Sequence, residues 1–419
     1  VALLRLKIIR CLNERPVLLV HGLDNTATSS SNDDWGNLEE ELVEDHNVFR
    51  LQYWPANLNN RKNAGMIGSA IARIYNQGFS AGYDKIDIVA HSNGGLMTRG
   101  FIQNMGVSSD ELSRPYNNRI RKLILLGSPI YGSFISNYIN GGNQIPLVCQ
   151  LLDRLVLHKS QISEASYDLA IGSDFLWELN KQPVNINVEY LTISGKIAYP
   201  ICAFNIKELD DGVVSVINSN LWREGYPFII LDLPHSGYDL VGFPILNGLN
   251  NNIKVGSLSS LFLDNQLTIN TAHNIISNSE VFCDSRFGPN CDSWPEELEN
   301  KGSSVLSVDS IDPVNSVVLH NELTNTFYNL VKNSQSKRWF YLQFNNLNDY
   351  TTLLDEGRYV PIINNIRLDE EHRIEIHNNK IILKEICMPK WMFNGWSECE
   401  INNKEKQKYL DQNSCGNTI

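Results

Sequence analysis

The sequence has no dense block of lysine and arginine, and its 35 basic residues are outnumbered by 47 acidic ones, giving a formal net charge of −12. This balance argues against a nucleic-acid partner. No stretch reaches the ~18 apolar residues of a membrane-spanning helix. The chain starts without methionine and without the layout of a signal peptide. We therefore interpret it as a processed or trimmed chain whose leader, if there was one, has been removed.

The eight cysteines include no Cys-x-x-Cys pair, so the spacing of a zinc site is missing. Cys283 and Cys291 enclose a Gly-Pro turn, which predicts a small loop closed by a disulfide. Cys387, Cys399 and Cys415 lie in a tail with little else to form a core. Disulfides in an oxidising compartment are the preferred interpretation, which predicts a secreted or cell-surface protein. The remaining three cysteines fit buried free thiols equally well.

The most informative pattern is an apolar strand that runs into a tight turn with a serine at its apex. The strand is Ile86–Ala90, the turn is His91–Gly95, and the amphipathic run Leu96–Ile102 follows. A strained turn between strand and helix exposes the serine hydroxyl at the edge of a parallel sheet, where a histidine can deprotonate it. Ser92 is therefore the candidate nucleophile.

A second apolar strand lies upstream and ends in a His-Gly pair. It runs from Pro16 to Val20 and is followed by His21 and Gly22. In serine hydrolases built on such a sheet, the loop after this strand supplies one backbone N–H to the oxyanion hole. The residue after the nucleophile supplies the other. This predicts an oxyanion hole formed by the backbones of Leu23 and Asn93.

Together with three later motifs, these two resemble the α/β-hydrolase lipases and esterases, over residues 15–240 approximately. Leu126–Ser133 resembles their Thr-Pro-x-x-Gly-Ser turn, and Gly172–Asn180 is similar to a helix of extracellular lipases and GPI-deacylase-like enzymes. The fifth motif is Asp211–Val214. The resemblance implies an α/β-hydrolase fold, a mostly parallel sheet with helices on both faces. A small β-rich C-terminal module follows it in this chain.

The acid of a catalytic triad is expected between the serine and the histidine in this fold. Asp211 precedes Gly-Val-Val, and in lipases of similar sequence the aspartate at that place is the acid, so we choose Asp211 over Asp210. Its role would be to accept the Nδ1 proton of the histidine and stabilise the imidazolium. Asp-Gly is also a common turn dipeptide, but its place in the order of motifs favours the catalytic role.

Two histidines compete for the role of base. His235 ends a β-like run and follows Asp211 by 235 − 211 = 24 residues, as in the compact lipases the chain resembles. His320 also follows a strand, and an amphipathic helix is predicted after it at residues 324–332. Choosing His320 would require a long insertion between acid and base, so we prefer His235.

The resemblance implies acyl transfer through Ser92, Asp211 and His235, with a covalent acyl-enzyme and no metal or organic cofactor. The expected partner is an ester or lipid substrate. A cap over the acyl-binding cleft is predicted at about residues 132–185, where a run of leucines gives one broad apolar face. Such a face can cover the core, or it can open transiently at a lipid surface. The oligomeric state does not follow from the sequence.

The predicted domains are a hydrolase domain at 1–335, a small β module at 336–386 and a Cys/Trp-rich partial module at 387–419. The hydrolase domain would carry an Asn/Ser-rich insertion at about 247–315. The last segment resembles a degenerate thrombospondin type-1-like module. Met392 and Tyr409 stand where related modules often carry cysteines, so a complete adhesive domain is not expected.

Two alternatives to an esterase or lipase remain at this stage. An amidase or peptidase could use the same triad on the same fold, since the fold does not choose the bond that is cleaved. A surface protein could also use the hydrolase scaffold only for binding. The complete set of Ser92, Asp211 and His235 argues against that last alternative.

Overall fold

The computed structural model describes residues 3–10, 14–23, 35–54, 58–106, 115–139, 163–196, 205–206, 209–211, 213–221, 224–231, 272, 298–310, 313–346, 349–376, 381–388, 391–396 and 407–411. The chain divides into two compact units. The first consists of Val1–Glu299 and Phe344–Thr351, and the second of Asn300–Gln343 and Thr352–Ile419.

The first unit contains the strands and helices that carry the predicted motifs. Its strands are β1 (Leu3–Arg10), β2 (Pro16–Val20), β3 (Asn47–Trp54), β4 (Ile86–His91), β5 (Ile120–Leu126), β6 (Glu189–Gly195), β7 (Asn205–Ile206) and β8 (Phe228–Leu231). Its helices are α1 (Gly36–Asp45), α2 (Asn60–Asn76), α3 (Asn93–Ile102), α4 (Phe134–Ile139), α5 (Glu164–Asp168) and α6 (Asp174–Lys181). A short 3₁₀ turn covers Val216–Asn218.

The main sheet of this unit has the strand order β1-β3-β2-β4-β5-β6-β8. β1 pairs antiparallel with β3, and all other neighbours pair parallel. Because the strands are buried on both faces, alternate residues enter two separate cores. Leu18 and Val20 belong to one apolar cluster, and Val17 and Leu19 belong to the other. The predicted α/β-hydrolase fold is confirmed in its mostly parallel sheet.

Helices α2 and α3 cover one face of this sheet. Because Gly68 on α2 has no side chain, the Phe101 ring of α3 can pack against its backbone. A Cβ at Gly68 would collide with that ring. At the start of α2, the Asn59 side chain accepts a hydrogen bond from the Lys62 N–H at 3.0 Å and caps the helix. In the described part of the chain, no helix is long and apolar enough to cross a membrane.

The second unit is built mainly from antiparallel strands around its own apolar core. Its strands are β9 (Lys301–Asp309), β10 (Val317–Asn321), β11 (Thr326–Lys332), β12 (Arg338–Tyr341), β15 (Leu354–Asp355), β16 (Gly357–Ile363), β17 (Ile366–Arg367), β18 (Ile374–Ile376) and β19 (Ile381–Cys387). Their order is β15-β9-β12-β11-β10-β16-β17, with β18 on β16 and β19 parallel to β9. Leu306, Leu319 and Tyr359 lie fully buried in its core.

Two smaller sheets complete the described strands. β13 (Gln343–Asn346) and β14 (Asp349–Thr351) form a three-stranded sheet with β7. β20 (Trp391–Trp396) and β21 (Gln407–Asp411) pair antiparallel, with Met392 opposite Leu410 and Tyr409 opposite Phe393. The likeness of this last segment to a thrombospondin type-1 module stays a prediction.

The helix predicted at residues 324–332 is wrong, because Thr326–Lys332 forms strand β11 between β10 and β12. A tight turn precedes it. The Asn321 Oδ1 accepts hydrogen bonds from the N–H groups of Leu323 at 3.0 Å and Thr324 at 3.2 Å, and Asn325 adopts a left-handed φ of 54°. These two asparagines turn the chain back on itself, so that the following residues pair as a strand with Tyr328 and Leu330 on the core side.

The division between the two units falls at Asn300, and the domain boundary predicted at residue 335 stays a prediction. The second unit comprises Asn300–Gln343 and Thr352–Ile419. The reason is strand pairing, since β12 pairs with β9 on one side and β11 on the other. β9 lies within the insertion that we predicted at about residues 247–315. Most other residues of that stretch lie outside the described part of the chain. The predicted lid helix at 145–157 also lies outside it.

Candidate active site

Ser92 occupies a strained turn between β4 and α3. Its φ of 52° and ψ of −126° lie where residues other than glycine are rarely found. The Ser92 N–H donates to the Leu126 carbonyl of β5 at 2.8 Å, which ties the turn to the sheet edge. The backbone then continues directly into α3, whose first residue is Asn93. The turn therefore has the geometry that the sequence predicted for a nucleophilic serine.

Two glycines allow other backbone segments to approach this turn closely. A Cβ built on Gly22 would lie 2.8 Å from the Ser92 Cβ and 3.3 Å from its Oγ. A Cβ on Gly94 would collide with the carbonyl oxygens of Val20 and His21. The end of β2 and the start of α3 are thus in contact, and only glycine fits at these two places. Two motifs that are seventy residues apart in sequence meet here.

The two residues predicted to form the oxyanion hole lie on either side of this contact. Leu23 follows Gly22 and is packed at the margin of an apolar cluster that includes Leu96 and Phe175. Asn93 is fully buried. Neither the oxygen nor the nitrogen of its side-chain amide has a hydrogen-bond partner. The sequence selected Asn93 only for its backbone, and the unpaired side chain is a feature that the motif does not reveal.

Asp211 lies in a tight turn in the connection between β7 and β8 and is 2% exposed. Its Oδ1 accepts hydrogen bonds from the N–H groups of Val213 at 2.9 Å and Val214 at 2.7 Å. These donors fix the orientation of the carboxylate within the turn. Its neighbour Asp210 forms an isolated β-bridge with Ser215 instead. The two adjacent aspartates therefore have different backbone surroundings.

The motif after β5 joins the Asp211 turn to the predicted cap. The Ser133 Oγ donates to the Val213 carbonyl at 2.7 Å, and the Tyr131 N–H donates to the Asn218 carbonyl at 3.0 Å. On its other side, the Ser133 N–H donates to the Leu169 carbonyl at 2.8 Å. These hydrogen bonds hold the loop that carries Asp211 against the turn that follows β5.

His235 lies outside the described residues, whereas His320 lies on β10 in the second unit. The His320 Nδ1 accepts a hydrogen bond from the Arg367 guanidinium at 3.1 Å, because arginine can only donate. Its Nε2 then carries the proton and donates to the Asn325 Oδ1 at 2.9 Å. The ring also stacks on Phe327 at 4.4 Å. A triad base needs the opposite tautomer, with Nδ1–H donating to the acid.

Asp168 is a partly buried carboxylate that no sequence motif indicated. It ends α5 and accepts a hydrogen bond from the Asn60 N–H at 2.6 Å, at the start of α2. Burial raises its pKa to about 6, and the Asn60 hydrogen bond opposes that shift. An isolated aspartate in a helical segment carries no sequence signal of burial, because α5 and α2 meet only in the fold.

Comparison with known proteins agrees with this fold. Residues 14–202 match the family described as lipase (class 2). No match was found among curated proteins. The phospholipase PlaB from Legionella pneumophila matches with a TM-score of 0.51 and 13% identity, over 95% of this chain and 100% of that one. Its complex with thio-NAD gives a TM-score of 0.54 over the same shares, also at 13% identity.

The mature lipase BlEst2 from Bacillus licheniformis matches with a TM-score of 0.40 and 19% identity, over 59% of this chain and 97% of that one. The mostly parallel sheet and the serine turn are those of an α/β-hydrolase fold, and residues 14–202 are similar to the class 2 lipases.

Proposed function

We propose that this protein is a serine carboxylic-ester hydrolase, an esterase or lipase, with Ser92 as its nucleophile. The contact between Gly22 and the Ser92 side chain carries the proposal, because it sets the loop after β2 directly beside the serine hydroxyl. The backbone N–H groups of Leu23 and Asn93 would bind the oxyanion from that loop and from the start of α3. The strained φ of Ser92 supports the same role.

In the proposed reaction, Ser92 Oγ attacks the ester carbonyl while His235 Nε2 takes the hydroxyl proton. Asp211 accepts the hydrogen bond of the His235 Nδ1–H and stabilises the imidazolium. The collapsing tetrahedral intermediate expels an alcohol that His235 protonates, and an acyl-enzyme remains. Water activated by His235 then attacks the acyl-enzyme and releases the carboxylic acid and free Ser92. The mechanism uses side chains and backbone N–H groups of this chain and needs no cofactor.

His235 is the proposed base because it follows Asp211 at the spacing of the lipases that the chain resembles. The local geometry of His320 supports the choice, since Arg367 and Asn325 fix its ring in the tautomer that cannot serve a triad. Both partners of the His320 ring belong to the second unit, as His320 itself does. We therefore assign His320 a structural role in the sheet of that unit.

The proposed substrates are carboxylic esters, including lipid esters. The predicted apolar cap at about 132–185 would cover the acyl chain and could contact a lipid surface transiently. We further propose an extracellular or cell-surface location, with disulfides in the C-terminal part. Cys387, at the end of β19, would take part in one of these disulfides. The closer likeness to GPI-deacylase-like enzymes and to a thrombospondin type-1 tail belongs to the same proposal.

The decisive experiment measures hydrolysis of p-nitrophenyl esters with short to long acyl chains, and of a phospholipid in vesicles. It compares the unmodified protein with Ser92→Ala, His235→Ala and His320→Ala. We expect kcat to fall by at least about 10³-fold in the first two variants, with His320→Ala retaining activity. A fluorophosphonate probe should label the unmodified protein and His320→Ala, but not Ser92→Ala.

The acyl-chain profile separates an esterase from a lipase. Loss of activity in His320→Ala with retention in His235→Ala would move the base to His320 and contradict the assignment. Absence of ester hydrolysis together with cleavage of the matching p-nitroanilides would make the protein an amidase. Full activity in Ser92→Ala would refute the serine mechanism.

A further inference from the structure

A cavity lies at the opposite end of β4 from Ser92. It has a volume of about 460 Å³, and its lining includes Tyr75, Tyr83, Asp84, Lys85 and Arg119. These residues come from the end of α2 and from the loops that precede β4 and β5. Since β4 separates Lys85 from Ser92 by six residues, the two sites are about 20 Å apart at the rise of a strand.

Arg119 is the main cation of this cavity, and no ion pair to an acidic side chain is found for it within the described part of the chain. Its guanidinium lies over the Tyr75 ring at 3.8 Å from the ring centre, a contact that holds the charge in place without neutralising it. Among the described residues no ion pair joins Arg119 to Asp84, although both line the cavity. The two basic residues that follow Arg119 are paired: Arg121 bonds Asp87, and Lys122 lies 3.8 Å from Glu189. Among these three basic residues of the described chain, Arg119 is the one for which no ion pair is found.

Lys85 adds a second positive charge to the same wall. Its Nζ donates to the Asn187 carbonyl at 3.3 Å, a bond that leaves two of the three ammonium hydrogens for other acceptors. Its own backbone is fixed, because the Arg15 guanidinium donates to the Lys85 carbonyl at 2.9 Å. Arg15 also lies over the Tyr83 ring at 4.5 Å. The loop that carries Lys85 is thus held by side chains on both sides.

The Tyr75 hydroxyl gives an independent indication that this wall is built for a polar ligand. It is buried and has no hydrogen-bond partner. Burial raises the pKa of Tyr75 to about 12, although Arg119 opposes the shift, so the phenol keeps its proton and can donate. A buried donor without an acceptor is unfavourable, and an acceptor brought by a ligand would remove that cost.

We propose that this cavity binds a small anion bearing a carboxylate or phosphate group between Arg119 and Lys85. Guanidinium and ammonium groups together provide charge-assisted hydrogen bonds for either kind of oxyanion. Asp84 places one negative charge on the same lining, which would repel a highly charged polyanion. Its carboxylate could accept a hydrogen bond from a small ligand that also carries a donor. The proposal does not depend on the ester hydrolase function, because no residue of the triad takes part.

The test is isothermal titration calorimetry of the full chain with sodium phosphate and, separately, with sodium acetate at constant ionic strength. The variants are Arg119→Gln and Lys85→Gln. The matched control is Arg73→Gln, an exposed arginine on α2 outside the cavity. We expect Arg119→Gln to weaken binding at least about tenfold and Lys85→Gln several-fold, with Arg73→Gln unchanged. Circular dichroism and the melting temperature check that each variant is folded.

The two ligands distinguish the natural source of the anion. Binding of phosphate alone indicates a phosphate-bearing ligand, and binding of acetate alone indicates a carboxylate. The proposal is overturned if neither ligand binds the unmodified protein at millimolar concentration. Equal affinity in Arg119→Gln and the unmodified protein, or the same heat from sodium chloride, would overturn it as well. Because Lys85→Gln leaves the contact between Arg119 and Tyr75 in place, it keeps the test decisive if Arg119→Gln does not fold.

Discussion

Gly22 and Ser92 are in direct contact, and a methyl group on Gly22 would lie 2.8 Å from the Ser92 Cβ and 3.3 Å from its Oγ. Real carbon atoms do not approach so closely, so any side chain at position 22 must displace either the serine or the loop that precedes Leu23. In the proposed mechanism these are the nucleophile and an oxyanion donor. The contact therefore links a backbone requirement for glycine to the chemistry of the site.

Gly22→Ala should reduce ester hydrolysis much more than it reduces stability. A displacement of about 1 Å between nucleophile and oxyanion donor can lower kcat on the order of 10²-fold. The measurement is kcat and KM on a p-nitrophenyl ester, with the melting temperature recorded in parallel. Gly100→Ala on α3 is a suitable control, because a Cβ there would meet the Phe175 ring edge at 3.2 Å and the Ala64 Cβ at 3.5 Å, and no backbone atom. Activity of Gly22→Ala close to that of the unmodified protein would contradict the proposed role of this loop.

Ser92→Gly should stabilise the protein while abolishing activity. The φ of 52° and ψ of −126° are costly for serine and acceptable for glycine. Strain of this kind amounts to about 1–3 kcal/mol, and the extra flexibility of glycine in the unfolded chain offsets part of the gain. We expect a net increase of about 1 kcal/mol in the free energy of unfolding, measured by urea denaturation.

Ser92→Ala provides the comparison for this prediction. Alanine removes the hydroxyl, as glycine does, but keeps the Cβ that makes the turn unfavourable. It should therefore lose activity without gaining stability. Equal stability of the two variants would mean that the turn stores no backbone strain.

Asp211→Asn should lower kcat on the order of 10³–10⁴-fold. The amide oxygen can still accept the hydrogen bonds from Val213 and Val214, so the turn should keep its shape. The amide nitrogen cannot accept the Nδ1–H of the base, and the imidazolium loses its stabilising charge. Asp210→Asn is the matched control, and its activity should stay close to that of the unmodified protein. A larger loss in Asp210→Asn would move the acid to Asp210.

The strands and turns around Ser92 could be predicted because local sequence determines them. Apolar residues fill β2 and β4, and glycine stands wherever the backbone must pass close to a neighbour, as at Gly94. A short, continuous apolar run such as β2 or β4 is typical of a strand that is buried on both faces of a parallel sheet. Sequence position alone predicts which segments surround the proposed nucleophile Ser92, but it does not predict the side-chain contacts made there.

The second unit was harder to predict because its structure depends on distant pairing. The segment Thr326–Lys332 has apolar residues that fit a helix as well as a strand, and only the turn formed by Asn321 and Asn325 decides between them. β19 pairs with β9, which lies far away in sequence. Periodicity gives no information about such a partner. The division of the chain at Asn300 depends on the same distant pairing.

Asp168 should make the first unit less stable as the pH rises from about 4 to about 6. Burial raises the pKa of this carboxyl from its ordinary value of 3.8 to about 6, so the folded chain binds a proton that the unfolded chain has already released. Stability therefore falls with pH inside that window and is constant above it. A difference of about two pKa units corresponds to about 3 kcal/mol.

Asp168→Asn tests this dependence, because the amide oxygen can still accept the Asn60 N–H hydrogen bond and the titration is lost. In urea denaturation at a series of pH values, the stability of the variant relative to the unmodified protein should rise by about 2–3 kcal/mol between pH ~4 and ~6.5. Asp168→Ala should show the same pH dependence with lower stability at every pH, since it also loses the hydrogen bond. A flat relative stability would show that Asp168 titrates alike in the folded and unfolded chain, and a falling one would show that folding lowers its pKa. Either result would contradict the raised pKa of this carboxyl.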